Sequence, residues 1–341
     1  MPERYSLARR AWLPVALDDG RREFVRLCDI TSKIDGHAIL RLSTGRPDCD
    51  ISLTEFLVGL LAIALGPNDS KDWAKRYSAP PSTAELDAAI ALLEPALFLD
   101  GEGARFFQDL EELEGAPTPV EAFFMDAPAD HFQVDGRTAV LSRAGAALAL
   151  ATLQTSAPSG GAGHRTSLRG GGPLTTLVIP GTSGNTEPTL WQRLWVNVPG
   201  DRVAATDSLK RVFPWLEPTR TSEKGGKTTT PDDVHPAQAF FGMPRRIRLV
   251  FADNTAKRPC DLTGIVDDVV ATGYITRPWG TNYIAWGMAP VEPELQGQKD
   301  RHRMASAPLE VVARRLSPVA RHGHGGAGRL AGTRPVSQGI P

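Results

Sequence analysis

The residues from Thr155 to Thr176 read TSAPSGGAGHRTSLRGGGPLTT, with six glycines, two arginines, one histidine and no acid. A chain without bulky side chains exposes its backbone N–H groups, and nearby cations add attraction for anions. One chemistry that fits is a loop presenting amides and arginines to phosphate or to a nucleic-acid groove. A second is an anion site in an enzyme, a hydrolase or nucleotide-dependent transferase using His164 and Arg165. The third reading is a solvated connector.

Other candidates carry less. The segment EKGGKTTT imitates a P-loop, but Thr221 stands where the first glycine is needed, and no strand leads into it. His131, His164 and His235 lie in separate loops, and His302, His322 and His324 near the end of the chain, without the spacing of a metal site. Cys28, Cys49 and Cys260 are far apart and form no C-x-x-C pair, so neither a disulfide nor a cysteine-held zinc is expected. No cofactor and no metal are assigned. In PRRIRLVF, Arg245, Arg246 and Arg248 read as a solvated strand face. In GYITRPWGTNY, Arg277 stands at a hairpin tip near Trp279, Tyr274 and Tyr283. It fits an arginine carried into a groove and a surface arginine packed on aromatics equally well.

Ordered elements must hold these residues. A hydrophobic fraction of 41% can supply a core, and a net charge of −1 excludes a general polyanion binder. Binding to nucleic acid would therefore need local basic loops. AWLPVAL and REFVRLCDI flank Asp18-Asp19-Gly20 as a hairpin. Ser52 with Glu55 and Ser82 with Glu85 have capping-box spacing and predict helices near 52–65 and 83–94, and RAGAALALATLQT predicts a third near 142–154. LTTLVI, RIRLVFAD, GIVDDVVATGYITRP and TNYIAWG read as strands. Helices and strands mix without a βα repeat, which predicts an α+β fold with one large mixed domain over 1–286. Residues 287–341 are rich in Pro, Gly, Arg and His and read as a weakly structured tail. No apolar run is long enough to span a membrane and the N-terminus has no signal-peptide core, so no membrane partner and a cytoplasmic location are expected.

Several of these segments, in order, resemble one family. GGAGHRTSLRGGGPLTTLV is similar to the glycine-rich loop and following L-R-G-G-x-P-x-T-T segment of CasA, the large subunit of the type I-E CRISPR Cascade complex. AWLPV, FFGMPRRIRL, CDLTG and GTNYIAW match that family in type and position. The resemblance covers roughly residues 10–286.

It implies a subunit without catalytic activity of its own. Its partners would be guide RNA, other Cascade subunits, target double-stranded DNA and a helicase-nuclease that it helps recruit. The family finds the protospacer-adjacent motif from the DNA minor groove, with a glycine-rich loop and a basic finger. Carried over, the loop is Ser159, Gly160, Gly161, Ala162 and Gly163, with Arg165 and Arg169 beside it. The family's finger is a lysine nine positions before a later tryptophan, and here that position is Arg277, counted from Trp286. Phe124, Met125 and His131 fall where the family has a loop docking toward guide RNA and neighbouring subunits. Nothing matches the family's glutamine wedge or its C-terminal four-helix bundle, and a tail read out of frame is one expectation for 287–341.

Overall fold

The computed structural model describes residues 3–124, 138–158, 160–161, 163–170, 175–182, 186–200, 208–223 and 226–286. Ser159, Ala162, Met125, His131 and residues 287–341, singled out above, lie outside these residues. The N-terminal hairpin forms as its sequence dictates: β1 (Leu13–Leu17) and β2 (Arg22–Val25) pair antiparallel about a turn in which Gly20 takes φ +87°. β3 (Lys33–Ile34) and β4 (His37–Leu42) complete a sheet of order β2-β1-β4-β3. Every residue of β1 is buried, as suits a central strand of unbroken apolar character.

The first helix begins earlier than its sequence suggests. α1 runs Pro47–Leu65, with Arg46 at the N-cap and Pro47 in the first turn, where its missing N–H costs nothing. Ser52 and Glu55 therefore do not form a capping box. They sit inside the helix and are buried: the Ser52 hydroxyl lies 3.2 Å from that of Ser156, and Glu55 has a partner described below. Gly59 lets Phe240 come close, since a β-carbon there would collide with that of Phe240. α2 (Ser70–Ser78), which the sequence reading did not single out, is capped by Asp69, whose carboxylate accepts from the N–H groups of Lys71 and Asp72. α3 (Thr83–Ala91) starts at the Ser82–Glu85 capping box, as its spacing predicts.

β5 (Thr118–Pro119) and β6 (Leu141–Ser142) lead to α4 (Arg143–Ser156), whose N-cap Ser142 accepts from Gly145. α5 (Leu190–Trp195) and the short α6 (Leu209–Val212) follow, then β7 (Thr228–Thr229), β8 (Arg246–Asp253), β9 (Val269–Arg277) and β10 (Asn282–Tyr283). β9 is the spine of the second sheet, pairing antiparallel with β5, β6 and β8. The described part of LTTLVI is not a strand. Asn197 bonds to both the N–H and the C=O of Val178, at 2.7 and 3.0 Å, doing the work a neighbouring strand would do. β7 pairs parallel with β10, so EKGGKTTT leads into a strand rather than the helix a P-loop requires.

Between the layers lies an aromatic core. Phe56 on α1 meets Phe106 edge to face at 5.3 Å, and Phe107 lies 4.4 Å from Trp215. α1 and α4 pack side by side in it. No single helix among the described residues is long and apolar enough to cross a membrane. The architecture is the α+β one that the mixed pattern of elements predicts.

Candidate nucleic-acid interface

The glycine-rich loop leaves the C-terminus of α4, and the finger residue Arg277 ends β9. The fold brings the two together. The N–H of Trp279, two residues after Arg277, donates to the carbonyl of Gly163 at 2.7 Å. Gly163 has φ +79°, and a β-carbon on it would lie 2.7 Å from Cβ of Pro278. Only glycine allows that contact. On its other side the Trp279 carbonyl accepts from the N–H of Ser222 at 3.1 Å. Trp279 is held in the left-handed region at φ 68°, a strained state for a bulky residue that persists because both its peptide groups are fixed.

Ser222 is the junction, and sequence reasoning missed it in a polar loop without any distinguishing motif. It is 1% exposed. Its hydroxyl donates to the Gly280 carbonyl at 2.5 Å and accepts from Nε of Arg165 at 2.8 Å. A second guanidinium nitrogen of Arg165 donates to the Ser222 carbonyl at 2.7 Å, and the group lies 5.4 Å from the centre of the Trp279 ring. Arg165 thus ties the loop to the finger through two of its guanidinium nitrogens.

Two more arginines are turned inward. Arg245 is 8% exposed, donates to the Pro158 carbonyl at the loop's start, and lies so close to Gly160 that a β-carbon there would fall 2.5 Å from Nη1. Gln154, from the last turn of α4, accepts from the Arg245 N–H at 3.1 Å and donates to its carbonyl at 2.9 Å. At the loop's far end, Arg169 bonds through Nε to Glu55 of α1 at 2.5 Å, and the two side chains are only 6% and 3% exposed.

Of the two roles open to Arg169, phosphate contact and loop brace, the buried pair with Glu55 is that of a brace. The solvated-face reading of Arg245, Arg246 and Arg248 is corrected. Arg248 is buried, and Arg246 donates to the buried Asp109 at 2.6 Å. A buried guanidinium needs acceptors, and here backbone carbonyls and carboxylates supply some of them, while Nη1 of Arg169 and Nε of Arg245 and Arg248 have no partner among the described residues.

What remains on the outside is small. Gly161, with φ +85°, has open space where a β-carbon would point. Arg277 is exposed, with no hydrogen bond or ion pair of its side chain among the described residues. Of the three described loop glycines, Gly160 and Gly163 make room for the protein's own side chains and Gly161 faces outward. His164 is half-buried, and burial together with the nearby Arg245 charge holds its pKa below the ordinary value. No hydroxyl, thiol or carboxylate bonds to the His164 ring among the described residues, so the nucleophile–base pair of the enzyme reading is not assembled there. Phe124 is buried, with the Arg46 guanidinium 4.4 Å over its ring, and so belongs to the body.

Fold and site together define an α+β protein that displays a braced glycine-rich loop beside the basic end of a strand. The model of the CRISPR-associated protein Cse1 family matches residues 6–318, and the chain belongs to that family. That match runs beyond Trp286, where the motif resemblance ends. Among solved structures, Cse1 from Acidimicrobium ferrooxidans aligns with a TM-score of 0.56 at 22% identity, over 83% of this chain and 53% of its own. CasA (Cse1) of Thermus thermophilus aligns at 0.55 and 20%, over 83% and 55%. A chain described as part of a CRISPR RNA-guided surveillance complex aligns at 0.55 and 18%, over 85% and 58%. The chain thus spans about half the length of the structures it matches. No curated protein matches it.

Proposed function

We propose that this chain is a Cascade large subunit of the type I-E kind, which reads the protospacer-adjacent motif of target duplex DNA from the minor groove, alongside guide RNA and the other subunits. On this reading it also helps recruit the helicase-nuclease, and its own role is binding rather than catalysis. The observation that carries the proposal is the 2.7 Å bond joining Gly163 to the turn after Arg277. It fixes a thin backbone segment beside an exposed arginine, while Arg165, Arg169 and Arg245 brace the loop. The minor groove is narrow and presents a degenerate pattern, which suits a thin backbone and one cation better than a cluster of side chains.

The test is a binding titration with assembled Cascade at two salt concentrations, using matched targets with correct and scrambled flanking motifs. Arg277→Ala is expected to cost about 1–3 kcal/mol on the correct motif only. Gly161→Asn adds a side chain at a φ that asparagine tolerates and is expected to weaken the same target. If both variants bind both targets as wild type does, the groove-reading role is wrong. Equal weakening of both targets, with the salt slope lowered by about one unit, would make Arg277 a phosphate contact.

A further inference from the structure

The strap that leads to Ser222 also lines a cavity of about 240 Å³. The strap residues 217–220 form one wall, α6 another, and Thr281 and Tyr283, just past the finger turn, a third. Three cations line it: Lys210, Arg211 and Arg220. Among the described residues neither the Lys210 nor the Arg211 side chain has an ion-pair partner. Arg220 is oriented from two sides, by the Thr229 hydroxyl at 3.1 Å and by Asp233 at 3.6 Å. Asp233 is itself pinned by the N–H of Thr230 at 2.8 Å. Its charge is thereby shared with Arg220, and the cations at the cavity exceed the free carboxylates. Thr219, in the wall, has a buried hydroxyl with no hydrogen-bond partner. An acceptor oxygen entering the cavity would supply one after a χ1 rotation.

We propose that this cavity is a second nucleic-acid contact, a seat for a backbone phosphate of duplex DNA, read for charge and not for sequence. The inference rests on the groove-reading proposal for its ligand class, because the cavity shares its strap and its third wall with the finger. Lys210 and Arg211 supply the long-range attraction. Arg220, held by Thr229 and Asp233, supplies a fixed pair of donors of the kind that matches a phosphate. Glu217, exposed at the rim, opposes an arriving anion.

The experiment titrates the full chain with a short duplex lacking any flanking motif and with a single-stranded RNA of equal length, at about 50 and 200 mM salt. Lys210→Gln with Arg211→Gln leaves intact the backbone carbonyl of Arg211, which accepts from His235 and Gln238. This double variant is expected to lower the duplex salt slope by up to about 0.9 units, the value of one phosphate contact. Glu217→Gln is expected to tighten duplex binding. A duplex slope unchanged in the double variant overturns the proposal, as does an unmutated chain without salt-dependent duplex binding. A slope lowered for RNA alone also overturns it and makes the cavity an RNA contact. Arg277→Ala separates the two readings: loss confined to the correct motif with an unchanged slope in the double variant sinks the cavity and keeps the groove reader. A lowered slope without any effect of Arg277→Ala does the reverse.

Discussion

The turn after β1 and the base of the glycine-rich loop both gather arginine against carboxylates, with opposite meaning. At the turn, Arg21 touches Asp19 and Asp35 at 2.6 and 3.0 Å, His37 sits 2.7 Å from Asp18, and all of these groups are solvated. At the loop base, Arg169 and Glu55 meet in an almost dry interior, and Nη1 of Arg169 has no partner among the described residues. Solvated pairs exchange water for each other and gain little, whereas a dry pair cannot lose one member without stranding the other. Stored this way, charge does not give stability so much as it fixes where the loop begins and ends.

Breaking the dry pair is the largest expected effect. Glu55→Ala leaves the Arg169 charge buried and alone and is expected to cost about 3–5 kcal/mol in a urea melt. Replacing both residues by methionine should recover much of that loss. Arg21→Ala, the matching change at the turn, should leave the melt midpoint where it is. If Arg21→Ala moves the midpoint as far as Glu55→Ala does, the contrast between the two sites is wrong.

Next comes the junction. Ser222→Ala removes the hydroxyl that holds both Arg165 and Gly280, and is expected to cost about 1–3 kcal/mol, since it leaves buried partners unsatisfied. It should also raise amide exchange together at Trp279, whose N–H is bonded to Gly163, and at Ser222, whose N–H is bonded to Trp279. Faster exchange at only one of them would show that the loop and finger are not tied through Ser222.

The smallest effect is one of pH. His164 has a lowered pKa from burial and from Arg245, so its neutral form is the one the folded loop favours. The unfolded chain therefore takes up a proton first as pH falls. The contribution is full above the ordinary histidine value of about 6.5 and declines as pH drops from there toward the lowered folded value. Loop amides should exchange faster at about pH 5.5, one unit below that ordinary value, than the intrinsic pH dependence allows, and His164→Gln should abolish the excess. An excess that survives the substitution would assign it to another group.

The local elements were legible because their causes are local. Asp18-Asp19-Gly20 makes a turn anywhere, and Ser82 with Glu85 caps a helix with atoms three residues apart. The same spacing at Ser52 and Glu55 misled because burial, which sequence does not display, gave each residue a distant partner. Glu55 meets Arg169 across 114 positions of chain. Arginine is the hardest type to place for this reason. Arg165, Arg169 and Arg245 look alike on paper as basic surface, and only the surrounding carbonyls and carboxylates turn them inward. That the loop would stand beside Arg277 was reached through family resemblance, since nothing in the spacing of residues 163 and 279 reports their contact.

α4 and β9 begin at one place. Asp267, two residues before β9, accepts from the backbone and guanidinium of Arg143, the first residue of α4, at 3.1 and 2.7 Å. From that shared root one arm ends at the glycine-rich loop and the other at Arg277, like the jaws of a caliper. The two arms respond differently to a change in length. One residue inserted into the helix swings its tip by about 100°, and one inserted into the strand sends every later side chain to the opposite face. A change of length in either arm would therefore carry one tip away from the other, so the lengths of α4 and β9 are set jointly, as the legs of one gauge.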